Sequence, residues 1–453
     1  SPLLPSPPTP CRQAATMSDS WAFETKQLHA GLRPDPATGA TALPIQQTAS
    51  YQFRNSEHAR ALFALEELGF VYTRLMNPTQ AAVEERIAAL EGGVGALLVA
   101  SGQAAESLAL LNLASAGDHI VASPCLYGGT AHLLEHTLAR FGIRVTFVAD
   151  PADPDAWRRA AEPGTKAFYG ETIANPGNEV LDLEPIAAVA HAIGVPLIVD
   201  NTVPTPFLLR PIEWGADIVV HSATKYLGGH GTAIAGVIVD SGRFDFGRHP
   251  DRFPDFNQPD PSYNGLTYAR DFGVGGALGA NLAFLVKARV QLLRDLGPAV
   301  APLNAWLIAQ GIETLSLRME RHSANALAVA QWLEMRPEVA SVRYAGLASH
   351  PSHALAQRYL PAGCSAVVSF ELRGGLEAGC RFIDALKLHV HVANIGDVRS
   401  LVLQPAATTH SQLSEAQRRA AGVTAGQIRL CVGLEALQDI LADLEQGLRA
   451  AVG

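Results

Sequence analysis

The feature that most constrains this chain is a repeated switch of apolar period that begins near residue 76. "GALLVA" (95–100) is followed by helix-like "AAESLALLNLA", "HIVAS" leads into a helical stretch through "TAHLLEHTLARF", and "IRVTFV" and "KAFYGE" precede helix-like "LEPIAAVAHAIG". "PLIVD" (196–200), "DIVVHS" (217–222) and "AIAGVIVD" (233–240) complete the series. Short apolar strands alternating with helices imply an α/β fold with a mostly parallel sheet covered on both faces, since parallel strands need long crossovers that fold back onto the sheet. In such sheets ligands bind beyond the carboxyl ends of the strands, so unusual residues at those ends are the ones to read.

A chain of 453 residues is expected to form two or three domains. Residues 1–16, "SPLLPSPPTPCRQAAT", are proline-rich, lack acids and precede the first methionine, Met17; they read as a leader outside the fold. Residues 17–75 carry few strong periods and read as an N-terminal arm. Residues 76–298 hold the alternating block, and 299–453 form a C-terminal α+β domain with one long helix near "SLRMERHSANALAVAQWLEM" and strands "VVSFEL" and "IRLCVGL". The Pro/Asn/Asp-rich excursion 247–271 is too long for a simple connection and is expected to be a functional loop.

Composition removes several classes of function. A net charge of −9 without a Lys/Arg run excludes a phosphate-backbone footprint, and the least charged stretch, 92–117, is broken by "SGQ" and Glu106, so neither nucleic acid nor membrane is an expected partner. Five scattered cysteines without a CxxC read as free thiols in a reducing compartment. The pairs His389/His391 and His350/His353 lack an accompanying cluster and read as structural, so no metal is expected.

Two strand ends carry complementary chemistry. "LIVD" ends on Asp200, and "HSATKYLGGHG" (221–231) puts Ser222, Thr224 and Lys225 just beyond the next strand. An ammonium resists desolvation there, so the charge must be solvated or removed, and an imine removes it. Pyridoxal 5′-phosphate would use the whole set: lysine for its aldehyde, carboxylate for its ring nitrogen, hydroxyls for its phosphate. "SGQAA" adds a second anion-suited turn at Ser101 and Gly102. Each residue also has an ordinary reading. Lys225 could snorkel to the surface, Asp200 could cap a helix, and Tyr127 in "LYGGT" could be core or could lie on a flat cofactor. Tyr72 and Arg74 in "VYTRLMNPT" could form a solvated turn or recognise phosphate. Arg429 alternates against Ile428, Leu430 and Val432, which by default exposes it to solvent; the alternative is a fork for a substrate carboxylate.

Together "HSATKYLGGHG", "YTRLMNPT", "ALEGG", "SGQAA", "LYGGT", "ETIANP", "IVDNT", "PAATTHSQLS" and "IRLCVGLE" resemble the Cys/Met-metabolism group of fold-type I pyridoxal-phosphate enzymes, from about Phe23 to the C-terminus. The resemblance implies an aminotransferase-like fold in which 76–298 bind the cofactor, with Lys225 as Schiff-base lysine and Asp200 on the pyridinium nitrogen. It places Tyr127 on the ring, Asn175 on the ring hydroxyl, and Ser101, Gly102, Gln103, Ser222 and Thr224 on the phosphate. Tyr72 and Arg74 would reach the phosphate of a neighbouring subunit in a cytoplasmic homotetramer built from dimers. Arg429 would take the substrate α-carboxylate, with Asn394 beside it. "NIGDVRSL", "AAGV" and "FPDFNQPDPSYNGL" are similar to the branch that, in methionine biosynthesis, replaces the acetoxy group of O-acetyl-L-homoserine by sulfide or a small thiol. Cystathionine γ-synthase and the γ-lyases are the alternatives; Gly129, where methionine γ-lyases carry cysteine, weakens the lyase reading.

Overall fold

The computed structural model describes residues 20–408 and 423–452. The 1–16 leader, Met17, Cys11 and most of "PAATTHSQLS" and "AAGV" lie outside the described residues.

Seven strands form the larger sheet: β1 (Gly95–Val99), β2 (His119–Ala122), β3 (Arg144–Phe147), β4 (Thr165–Glu171), β5 (Leu197–Asp200), β6 (Ile218–Ser222) and β7 (Gly236–Asp240). Their order is β1-β7-β6-β5-β4-β2-β3, parallel from β6 to β3, with β7 antiparallel to both neighbours. The reversal of β7 follows from its connection: residues 223–235 hold turns but no crossover helix, so the chain cannot return to the start of the sheet. The apolar runs are continuous because both faces are buried. Leu98, Val121, Phe168, Val199 and Val219 pack on one face with the helix Pro78–Glu91, and Val99, Ala122, Tyr169, Ile198 and Val220 pack on the other with the helix Gly102–Leu111.

Both helices have sequence-encoded ends. Asn77 caps the first through the Thr79 amide, Pro78 opens it, and Gly92 closes it at φ 82°. Ser101 caps the second, its Oγ accepting from the Ala104 N–H at 3.1 Å, a bond of about 1 kcal/mol.

The second sheet has the order β10-β11-β12-β9-β8, built from β8 (Val339–Arg343), β9 (Val367–Leu372), β10 (Val390–His391), β11 (Leu401–Leu403) and β12 (Gln427–Cys431). The helix Leu315–Glu334 joins it to the larger sheet. Arg318 on this helix donates to the carbonyls of Tyr226 and Gly311, and His322 Nδ1 donates to Val432 O at 2.7 Å.

None of the residues of the excursion 247–271, expected to be a functional loop, lines the cleft described below. Its aromatics fill a core: Phe256 stacks at 4.2 Å on Phe246, which precedes the excursion, and Phe253 and Tyr268 are buried beside them. Aromatic burial of this size gives an irregular segment the packing energy that a helix or strand would otherwise supply.

Candidate active site

The strand ends meet at a cavity of about 280 Å³. Its deepest part is closed by backbone. A Cβ on Gly236, at the start of β7, would stand 1.9 Å from the Ser101 carbonyl oxygen, and one on Gly102 would stand 2.7 Å from Ser222 Cβ. Only glycine permits these approaches, and they bring the turn after β1 against the turn after β6 although β7 separates the two strands. The amides of Gly102 and Gln103 open the helix beyond Ser101 with no partner among the described residues, the arrangement that suits an anion. Ser222 and Thr224 line the same end. The Thr224 hydroxyl is exchanged with the Ala235 backbone, accepting its N–H at 3.1 Å.

One wall is acidic. Asp200 and Glu171 are register partners on β5 and β4, and Glu106 faces them from the helix Gly102–Leu111. Burial raises the pKa of all three. For Glu106 and Glu171, and most strongly there, the charge of Asp200 adds to the effect. Asp200 Oδ1 accepts the Thr202 N–H at 2.7 Å, and Thr202, with His221 on the opposite face, offsets part of its burial. His221 itself is paired with Glu91 at 3.3 Å, and Glu91 also accepts from Asn201 at 3.1 Å. Glu171 accepts the Tyr127 N–H at 2.6 Å, which fixes the loop that presents the half-exposed Tyr127 ring to the cavity. A Cβ at Gly129 would lie 2.4 Å from that ring, so the second glycine of "LYGGT" is the room in which Tyr127 lies.

The facing wall is basic. Lys225 Nζ donates to Asn394 Oδ1 at 2.5 Å; burial, and then the charge of Arg429, push its pKa down. Arg429 projects from β12 into the cleft and donates to Asn175 Oδ1 at 3.5 Å and to the Asn394 carbonyl at 3.2 Å. Its default expectation of solvent exposure is therefore overturned: the alternating face of β12 meets Asn175 and, through Cys431, Tyr226 of the turn after β6, and burial lowers its pKa.

Lys225, Tyr127, Asp200, Ser101, Gly102, Gln103, Asn175, Ser222, Thr224, Asn394 and Arg429 all line one cavity. Tyr72 and Arg74 do not; they lie outside the cleft of their own chain, the guanidinium 5.1 Å from the centre of the Tyr72 ring. Glu106, Glu171 and Thr202 belong to the cleft but were not singled out from the sequence as site residues. Glu171 ends "KAFYGE" as Asp200 ends "LIVD", and Glu106 is an isolated acid in an apolar stretch; both are signals that a charge is being used. Of the histidines read as structural, His389 is on Asp443 at 2.8 Å, His350 on the Gly177 carbonyl at 3.3 Å and His353 on the Ala345 carbonyl at 3.2 Å, while His391 is exposed on β10.

An amine of depressed pKa, a buried carboxylate across from it and an anion-suited helix start define a site for a phosphorylated aromatic aldehyde in an α/β fold. Residues 24–449 match the Cys/Met metabolism PLP-dependent enzyme family, and the chain belongs to that family. An O-acetyl-L-homoserine sulfhydrylase of Leptospira meyeri is 53% identical over 436 residues, covering 96% of this chain and 98% of its own length. One from Corynebacterium glutamicum is 52% identical with the same coverage. A crystal structure of a candidate O-acetylhomoserine (thiol)-lyase from Campylobacter jejuni, containing N′-pyridoxyl-lysine-5′-monophosphate, is 41% identical with a TM-score of 0.90, covering 95% of this chain and 100% of that one.

Proposed function

We propose that the chain catalyses γ-replacement on O-acetyl-L-homoserine, exchanging acetate for sulfide or a small thiol to give L-homocysteine or methionine. The observation that carries this reading is the opposition of Lys225 and Arg429 to Asp200 across one cleft, in a chain about half identical to sulfhydrylases over nearly its full length. Pyridoxal 5′-phosphate, when bound, supplies an electron sink for the bonds at the substrate's Cα and Cβ.

The residues present fit that group. The amides of Gly102 and Gln103, with the hydroxyls of Ser101, Ser222 and Thr224, would hold the phosphate. Asp200 would face the ring nitrogen, Tyr127 would cover the ring, and Asn175 would meet the ring hydroxyl. Arg429 would take the substrate α-carboxylate, held in place by the Asn394 carbonyl. Replacement at Cγ requires protons to leave Cα and Cβ. Lys225 Nζ is the amine in the cleft able to carry them, since its lowered pKa leaves more of the neutral base. Asn394 Oδ1 holds that nitrogen on the side of Arg429.

The position of Tyr72 and Arg74 outside their own cleft supports a shared site in which they meet the phosphate bound by a neighbouring subunit of a cytoplasmic homotetramer. Arg74→Ala should raise the cofactor dissociation constant about tenfold, and sedimentation should give four chains per particle. Unchanged affinity would count against the shared site. The activity is tested with purified protein, cofactor and sulfide: homocysteine and acetate should form from O-acetylhomoserine. Preference for O-succinylhomoserine and cysteine, or release of α-ketobutyrate, would instead assign a γ-synthase or a γ-lyase.

A further inference from the structure

Cys431 is a buried thiol that the proposed function leaves unused. It ends β12 two residues beyond Arg429, is 1% exposed and does not line the cleft. Burial raises its pKa, so it stays a neutral thiol, which suits contact rather than attack. Its sulfur accepts the Gly396 N–H at 3.1 Å and is hydrogen-bonded to the Tyr226 hydroxyl at 3.3 Å. Tyr226 follows Lys225 directly, and Gly396 lies two residues beyond Asn394 in the loop that joins β10 to β11. That loop rests on the lysine's own backbone: at Gly396, where φ is 76°, a Cβ would stand 2.6 Å from Tyr226 N and 2.9 Å from Lys225 Cα. Two residues further on, Val398 donates its N–H to the Gly229 carbonyl at 2.9 Å and extends the same seam. The Gly396 amide is buried, and the sulfur is its partner among the described residues.

We infer that Cys431 is a positioning residue whose sulfur pins the loop 393–396 to the turn that holds Lys225, so that Asn394 meets Lys225 Nζ beside Arg429. This rests on the proposed function. Lys225 Nζ donates to Asn394 Oδ1 and Arg429 donates to the Asn394 carbonyl, so this one residue sets the proton-carrying amine against the fork for the substrate carboxylate. The sulfur joins the three elements that must agree: β12, which carries Arg429, the loop, which carries Asn394, and the turn, which carries Lys225. Without the pin the loop keeps its place in the chain but loses its register against the lysine. A misplaced amine slows proton transfer, whereas the anion end lies on the other wall and keeps its hold.

Serine is the discriminating substitution, because its hydroxyl can accept the Gly396 N–H and bond to Tyr226, and alanine can do neither. In the holoenzyme, Cys431→Ala should lower kcat about tenfold while the cofactor dissociation constant stays within about twofold, and Cys431→Ser should keep both within about twofold of wild type. In an Asn394→Ala background, adding Cys431→Ala should change kcat by less than about twofold, since the side chain it positions is gone. An unchanged kcat in Cys431→Ala, a serine variant as slow as the alanine one, cofactor loss that accounts for the lost rate, or a further tenfold drop on top of Asn394→Ala overturns the inference. Cys431→Val fills the site without bonding and takes the place of alanine if that variant does not fold. Failure of the parent reading looks different: a wild-type protein that acquires no visible band with cofactor, or that forms no homocysteine from O-acetylhomoserine and sulfide.

Discussion

The two walls of the cleft are built by opposite strategies. The larger sheet contributes the ends of parallel strands, where a fixed register sets Asp200 beside Glu171 and backbone closes the anion end. The smaller sheet contributes one side chain from the middle of an antiparallel strand, Arg429, and a loop residue, Asn394. On the first wall Asp200 and Glu171 are held by backbone N–H groups, donated by Thr202 and Tyr127. Arg429 on the second is held by the Asn175 side chain and the Asn394 carbonyl. Rigid strand ends suit a cofactor that stays, and long side chains on the opposite wall suit a substrate that comes and goes.

That division can be broken most severely at Lys225, where the walls meet. Lys225→Ala should cost about 10⁴-fold or more in turnover and remove the wild-type visible band, and an active variant would end the assignment. Asp200→Asn belongs to the cofactor wall. It should lower kcat roughly 10²-fold while retaining cofactor, which a spectrum and a rate on one sample would establish. Arg429→Leu belongs to the substrate wall. KM for the amino acid should rise by about two orders of magnitude with cofactor affinity unchanged; a loss of cofactor instead would erase the distinction between the walls.

The smallest effect concerns the support behind the second wall. Burial holds His322 at a pKa of about 4, below the ordinary 6.5, while it bonds the carbonyl that follows β12. Below pH 6.5 the unfolded chain takes up a proton that the folded chain refuses, so stability falls as pH drops from 6.5 toward 4 and then levels. Near pH 5 the loss is about 2 kcal/mol, and His322→Gln should flatten this part of a stability-against-pH curve.

The unequal construction of the walls also explains what could be read from sequence. Parallel strands announce themselves as apolar runs, and a carboxylate or lysine at the end of such a run stands out, which is why Asp200 and Lys225 were legible. Glu171 ends its run in the same way and could have been found by the same rule. Arg429 could not be placed, because strict alternation states that a side chain leaves the apolar face without saying what covers the other one. Glu106 depended on a helix folding back over the sheet, and a single acid in an apolar helix carries no period that reveals its partner. The packing role of the 247–271 excursion was hidden for a related reason: its prolines and aspartates drew attention away from its aromatics, Phe253, Phe256, Tyr263 and Tyr268, which are packing residues.

The contact of Gly236 with the Ser101 carbonyl bears on how this protein could be re-engineered. Depth at the anion end is set where the main chain of β7 meets the Ser101 carbonyl, so deepening it would mean moving a strand. A programme to broaden the accepted leaving group or thiol therefore has its freedom at Ile234 and Ala393, exposed lining residues that lie in loops outside the strands.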